Sequence, residues 1–427
     1  MKPIHRNALK KSVYFFLLTG LLLLAGYQLT YSQTRKALVP HLQANRLDLT
    51  KPAPDWPAVW DESFYQNQIF LLGERHGIAY SYEALWTLFQ QLKAKTNFTY
   101  YLLEAPLYWE INLNKYLETG DEAFLNKPFL KAKGTFYANQ NFYAFYKKLY
   151  TYNRALPRED KIHFISVDVE HQFQYSHAQL LALLARQVKG RPDTCQFIRL
   201  FYQLKPEKTG NYRQAYQRYQ QAFNRDSICL KEELGPEYPT VQYLIRNVNY
   251  KFIASADPAD LVRDSLMYEN FKTRTRLVDI RQHKAFGFLG LSHCYLSSAK
   301  KAKYFGAYLQ QHAYQCTALG MLYSNCTTRI PVFYLPKPLR FLGNDEGYFE
   351  TTMRSNDRPI EHQKYIGVLK ELSLSTITLF RLTGKDSPFA QRPLLIDELK
   401  SNKPTTSYMQ YVILIENSPA AEALDLR

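Results

Sequence analysis

Apolar residues in this chain fall into short unbroken runs that stop at glycine or a charged residue. Between the runs they recur every three or four positions. Ile69-Phe70-Leu71-Leu72 stops at Gly73, and residues 99–104, 162–168 and 285–291 repeat the form. A run that is apolar at every position predicts a strand buried on both faces. Leu85, Leu88, Phe89 and Leu92 follow the first run at helical spacing. Such alternation predicts an α/β fold with a mainly parallel central sheet flanked by helices. Residues 172–281 show helical spacing only, as in Tyr212, Tyr216, Tyr219 and Phe223. They predict a large helical insertion over the carboxyl ends of the strands. Further strands are expected at 373–382 and 408–415. Residues 35–65, broken by Pro40, Pro52, Pro54 and Pro57, read as an irregular lead-in.

The N-terminus adds a second kind of segment. Lys2, Arg6, Lys10 and Lys11 precede an almost wholly apolar stretch from Val13 to Tyr27. Two readings stand: a signal peptide with Thr30-Tyr31-Ser32 as a small-x-small cleavage site, or an uncleaved membrane anchor. Either places the rest of the chain outside the cytoplasm: periplasmic, extracellular or membrane-anchored. We therefore divide the chain into residues 1–34 and a single domain over 35–427, with 172–281 as its helical subdomain.

Composition narrows the function classes. At 427 residues, 46% hydrophobic and 15% aromatic, the chain is globular. Its net charge of +16 is spread along the sequence without long basic runs. With no nucleic-acid-binding signature present, we read an evenly basic surface and expect no nucleic-acid partner. The five cysteines form no CxxC pair, which excludes a zinc ribbon. In an oxidising compartment Cys195 could pair with Cys229, and Cys316 with Cys326, leaving Cys294 over; the sequence leaves that connectivity open.

Ligands of open α/β sheets bind beyond the carboxyl ends of the strands. Four predicted strands end here in titratable residues: Glu74 and His76, then Glu104, then Asp168 with Glu170 and His171, then His293. Singly, each has a plain explanation. Glu104 or Asp168 could cap a following helix, and a lone histidine could sit hydrogen-bonded in a loop. Their coincidence at one sheet edge points to a shared cleft. Two chemistries suit it. A histidine could act as base on a water while a carboxylate orients it and a cation holds the oxyanion. Alternatively His76, Glu104 and His293 could ligate a divalent metal. No Gly-x-Ser-x-Gly elbow, Walker loop or dinucleotide fingerprint is present.

At these residues the sequence resembles the erythromycin esterase-like family, within a superfamily that includes the ChaN haem-binding lipoproteins and the TraB/Tiki proteins. The family's Leu-Gly-Glu-x-x-His-Gly motif is similar to Leu72-Gly73-Glu74-Arg75-His76-Gly77, one residue shorter and nearer the ChaN form Gly-Glu-x-His. Leu102-Leu103-Glu104 resembles the end of the family's next strand. Asn112 to Gly120 resembles its Leu-Asn-x-Tyr-x-x-x-Gly segment, and Tyr411 to Pro419 its closing strand. Arg263-Asp264-Ser265-Leu266-Met267-Tyr268-Glu269-Asn270 is similar to the family's Arg-Asp-x-x-Met-x-x-Asn helix, which implies that Arg263 reaches the cleft. The family's His-Asn-x-His is here Gly290-Leu291-Ser292-His293, with only the second histidine kept. The spacings Gly73-x-x-His76 and Gly290-x-x-His293 also resemble the paired motifs of TraB/Tiki proteins.

The resemblance implies a hydrolase of an ester, lactone or amide, acting on a small molecule or peptide through Glu74, His76, Glu104, Arg263 and His293. A divalent metal is one expected cofactor. A haem- or metal-binding protein without hydrolytic activity, as ChaN would imply, is the alternative. The membrane is a partner through the N-terminal segment if that segment is retained.

Overall fold

A computed structural model describes residues 29–52, 54–188, 195–257, 261–276, 280, 283–300, 302–344, 347–353, 365–396 and 399–426. The apolar stretch from Val13 to Tyr27, on which the signal-or-anchor reading rests, lies outside the described residues. Among those residues no helix is long and apolar enough to cross a membrane.

Ten strands are described: β1 (Arg46–Asp48), β2 (Ile69–Glu74), β3 (Tyr100–Leu103), β4 (His163–Ser166), β5 (Ala285–Gly290), β6 (Cys316–Ser324), β7 (Cys326–Pro331), β8 (Tyr348–Met353), β9 (Ile377–Arg381) and β10 (Tyr411–Glu416). Eight form one sheet in the order β1-β9-β10-β6-β2-β5-β3-β4, and β7 and β8 form a separate hairpin. Within the large sheet only β9 pairs antiparallel with its neighbours; the other pairings are parallel. The predicted mainly parallel α/β sheet is what the chain builds.

The unbroken apolar runs have the expected cause. Phe70 and Leu72 of β2 point into one core, with Tyr101, Phe288 and the helices Ala79–Thr96 and Gln140–Ala155. Ile69 and Leu71 point into the opposite core, with Leu102, Leu289 and the helices Arg263–Thr275 and Phe305–Gln311. Successive side chains on a strand face opposite ways, so a strand covered on both sides is apolar throughout.

The region 172–281 is helical where it is described. It holds Phe173–Val188, Gln196–Gln203, Pro206–Thr209, Tyr212–Arg225, Ser227–Leu234, Tyr238–Ala254 and Arg263–Thr275. Most of these helices surround a core of their own, built on Leu184, Phe197, Tyr219, Phe223 and Leu244. A Cys195–Cys229 disulfide staples this bundle with a Cα–Cα separation of 6.2 Å. By loop-closure entropy over a sequence separation of 34, the staple is worth about 3–4 kcal/mol. Cys195→Ser should lower the stability of the chain by up to that amount in urea titration; no change under non-reducing conditions would show the staple to be idle.

Several expectations are corrected. Cys316 and Cys326 do not pair; with Cys294 they are buried thiols outside any disulfide. Cys316 opens β6, whereas the Cys326 thiol is turned to the carbonyls of Ser324 and Ile415. The lead-in is not irregular throughout, because residues 29–44 form a helix with Pro40 on its exposed side. Thr34, Leu38 and Leu42, four residues apart, are its buried stripe. Thr30-Tyr31-Ser32 lies in that helix, and Tyr31 stacks on Tyr365 at 5.4 Å. β1, β6 and the β7–β8 hairpin are further elements beyond those expected.

Candidate active site

The cleft begins where β2 ends. Glu74 follows Phe70 and Leu72 at two-residue steps, so its side chain enters the same core as theirs, and it is 4% exposed. Gly77 then turns the chain at φ +86°, a left-handed conformation that favours glycine. A Cβ there would stand 2.5 Å from the Arg329 carbonyl. The β7–β8 hairpin buttresses this turn. The Arg329 N–H donates to the Gly77 carbonyl at 3.1 Å, and the Thr328 hydroxyl donates to the His76 carbonyl at 2.9 Å. His76 itself pairs through Nδ1 with Glu74 Oε1, its ring against Phe136 and Tyr137, each 5.4 Å between centroids.

Across the cleft a short helix, Leu291–Cys294, leaves β5 and lies directly over β2. Gly73 permits this approach, since a Cβ there would sit 2.9 Å from the Leu291 Cα. The helix delivers His293. Its Nδ1 is 2.7 Å from Asp264 Oδ1, and its Nε2 is 3.4 Å from Glu104 Oε1. Asp264 also accepts the Phe305 N–H at 2.8 Å.

Arg263 joins the remaining strand ends. Its Nε and Nη2 donate to the two oxygens of Asp168 at 3.0 and 2.7 Å, and Nη2 also donates to Glu104 Oε1 at 2.9 Å. Glu104 Oε2 accepts the Gly290 N–H. Asp168 is fully buried and also accepts from the His171 ring at 2.5 Å. Asn247 and Asn270 fix its backbone carbonyl at 3.2 and 3.0 Å.

Glu104, Arg263 and His293 thus form one connected network, and Glu74 with His76 lines the same cleft. Asp264, named in the Arg263 segment, is the partner that orients His293. Asp168 carries the guanidinium and is no helix cap. Phe136, Tyr137 and Tyr334, which form an aromatic wall, carried no signal at sequence level. Glu170 turns away to Ser176 and the Gln172 N–H. The candidate metal set does not fit an ion as arranged. Both nitrogens of His293 and both oxygens of Glu104 already have protein partners. Among the described residues no three His, Cys, Asp or Glu side chains form a metal-holding group.

Charge decides how these groups are held. Burial pushes the His76 pKa down, but Glu74 outweighs it and raises the value to about 9. Burial likewise opposes charge on His293, and Asp264 and Glu104 raise it to about 10. Burial favours neutral carboxyls at Glu104 and Asp168. For Glu104, the His293 and Arg263 charges overcome it; for Asp168, those of Arg263 and His171 do, and both carboxyls are held below their ordinary range.

The sign of the pH dependence follows. Two histidines with raised folded pKa stabilise the fold fully below 6.5, and that contribution is lost as pH rises through about 9 and 10. The depressed carboxylates contribute above their ordinary values of 4.5 and 3.8, and lose it only in stronger acid. The urea midpoint should therefore fall between pH 6.5 and 10, and His293→Gln should flatten that fall. A midpoint independent of pH in this window would refute the pairing.

No protein-family model matches the sequence, and no curated protein sequence matches it. Its structure is similar to a Bacillus cereus protein at 14% identity, covering 92% of this chain and 99% of that one, with TM-score 0.64. It is similar to a mutant of the erythromycin esterase EreC in its open conformation, at 14% identity, 90% and 99% coverage and TM-score 0.62. It is also similar to a succinoglycan biosynthesis protein, at 14% identity, 92% and 98% coverage and TM-score 0.58. These likenesses span nearly the whole of each solved chain, and at this identity they speak to architecture. The chain has the erythromycin esterase-like fold.

Proposed function

We propose that the chain is a hydrolase that opens an ester, lactone or amide with water at the Glu74, His76, Glu104, Arg263 and His293 cleft. The observation that carries this is the connection of Glu104 to both Arg263 and His293, facing the Glu74–His76 pair. Arg263 uses Nε and Nη2 on carboxylates, and among the described residues no protein partner takes Nη1. That edge is suited to hold an oxygen that gains negative charge, which is where acyl-transfer sites supply most of their stabilisation. His293, paired on both nitrogens, holds Glu104 in place. Glu74 and His76 handle the proton of the attacking water. The fold shared with an erythromycin esterase supports the reading.

We also propose that the domain lies outside the cytoplasm. The basic and apolar N-terminus supports this, as does a disulfide of the kind that persists in oxidising compartments. Alkylation of Cys195 or Cys229 in intact cells without reductant would contradict it.

The functional test is hydrolysis of a panel of small esters, lactones and amides by the purified chain, with Arg263→Met and His76→Ala as comparisons. Loss of roughly 10²-fold or more in each variant is expected. An unchanged rate in His76→Ala would remove the site from the reaction. Activity that survives exhaustive chelation agrees with the filled donor set. A Soret shift on adding haem, with no hydrolysis by the wild type, would favour the binding reading instead.

A further inference from the structure

Behind His76 the core holds a small cavity lined by Glu74, Tyr82, Tyr101, Phe142, Tyr146 and Phe288. His76, Glu104, Phe136 and Tyr137 line both this cavity and the adjoining open cleft. Among the described residues no protein group hydrogen-bonds to two polar atoms on its wall, Glu74 Oε2 and the Tyr101 hydroxyl. Their residues are 4% and 1% exposed. An unpaired carboxylate oxygen and an unpaired phenol in an aromatic core are each costly, and such pairs are met by an ordered water. The two groups are also complementary, since the carboxylate only accepts and the phenol can donate. Burial raises the Tyr101 pKa, and the neighbouring Tyr146 and Tyr82 phenols and the Glu74 charge add to it.

We propose that this cavity holds the hydrolytic water between Glu74 Oε2 and the Tyr101 hydroxyl, that Glu74 is the general base, and that Tyr101 is a positioning residue. This assignment rests on the hydrolase reading above and names its base. The water O–H bond breaks and its proton goes to Glu74 Oε2. The water oxygen bonds to the acyl carbon, and the carbonyl electron pair moves onto oxygen facing Arg263. The bond to the leaving oxygen or nitrogen then breaks, with a proton supplied by His76 Nε2. Proton return from Glu74 to His76 through solvent resets the pair. The carbonyl re-forms as that bond breaks, so one water and one ester or amide give one acid and one alcohol or amine, and a lactone gives one hydroxy acid, with no other reactant. His76 serves as the acid because Nδ1 is committed to Glu74 Oε1 while its ring faces the cleft.

Two measurements on the full chain test this. The first is a crystal structure of wild type and Tyr101→Phe at a resolution that shows ordered water. Density between Glu74 Oε2 and Tyr101 in wild type, absent in the variant, is expected; a dry cavity in wild type overturns the assignment. The second is the pH–rate profile on ethyl butyrate and δ-valerolactone, whose alkoxide leaving groups need a proton. The groups facing His76 are Glu74, Glu104, Arg263 and Tyr137. If Glu74 is the base and His76 the acid, kcat falls as pH rises through about 9. If His76 is the base, kcat climbs through the same range, which overturns the proposal and leaves the hydrolase reading standing. Tyr101→Phe should lower kcat 10- to 100-fold with KM unchanged; equal losses in Tyr101→Phe and a distant core variant such as Tyr243→Phe would overturn its positioning role. No hydrolysis of either probe by the wild type overturns both readings together.

Discussion

Glu104→Gln is expected to abolish turnover and to cost about 3–5 kcal/mol of stability, the usual price of breaking one side of a buried ion pair. The glutamine has nearly the shape of the residue it replaces, so the effect tests charge and hydrogen bonding. One carboxylate oxygen accepts from Arg263 and lies near His293, while the other accepts the Gly290 N–H. A glutamine presents one acceptor and one NH₂ to the same donors. Whichever way it is turned, a donor meets a donor at a site 6% exposed. Arg263 and His293 also lose a shared counter-charge. Chemical denaturation and the ester assay together read both consequences. A Glu104→Gln protein within about 1 kcal/mol of wild type would mean that the network is not formed as described.

Arg263→Ala should be the second severe change, and acid should partly rescue it. Asp168 is fully buried and Glu104 nearly so, and the guanidinium is the cation between them. Without it, two carboxylates share a buried site. A loss of about 3–5 kcal/mol at neutral pH is expected. In wild type, the folded pKa of Asp168 lies below its ordinary value, so acid removes stability. In the variant, burial and the neighbouring carboxylate are opposed by His171 alone, so that pKa lies above its wild-type value and acid costs the variant less than it costs wild type. The gap in urea midpoint between the two proteins should narrow from pH 7 to pH 4. A gap that widens would contradict this. Arg263→Lys should recover less than half the loss, because an ammonium cannot make the two-pronged contact with Asp168.

Much of this site is legible in the sequence. Strand ends are legible because a strand buried on both faces is apolar at each position, so a terminal Glu74 or Glu104 stands out. The Arg263 segment has no pattern of its own and is marked only by the family resemblance. Asp264 is not legible as its neighbour's companion, because neighbouring helical residues point about 100° apart. Here Arg263 opens the helix, and the two side chains diverge toward different partners, Asp168 and His293. β6 is masked in the sequence because Gly320 and Thr317 interrupt its apolar run. The glycine has a tertiary cause, since a Cβ there would lie 2.6 Å from the Met409 sulfur. The helix over 29–44 was hidden by Pro40, a residue the helix tolerates on its exposed side. Tyr101 looked like any strand aromatic, for an unpaired hydroxyl leaves no mark in a sequence.

The short helix that crosses Gly73 carries one more residue, Cys294, next to His293 and 1% exposed. Burial, with the carboxylates of Glu104, Asp264 and Glu74 nearby, raises its thiol pKa well above the ordinary value. A thiolate is the species that alkylating reagents attack, so Cys294 is silent while the helix lies flat on the strand. It is a built-in clock for that helix. The rate at which iodoacetamide finds Cys294 in the native protein counts how often His293 leaves its seat, without any substrate being known.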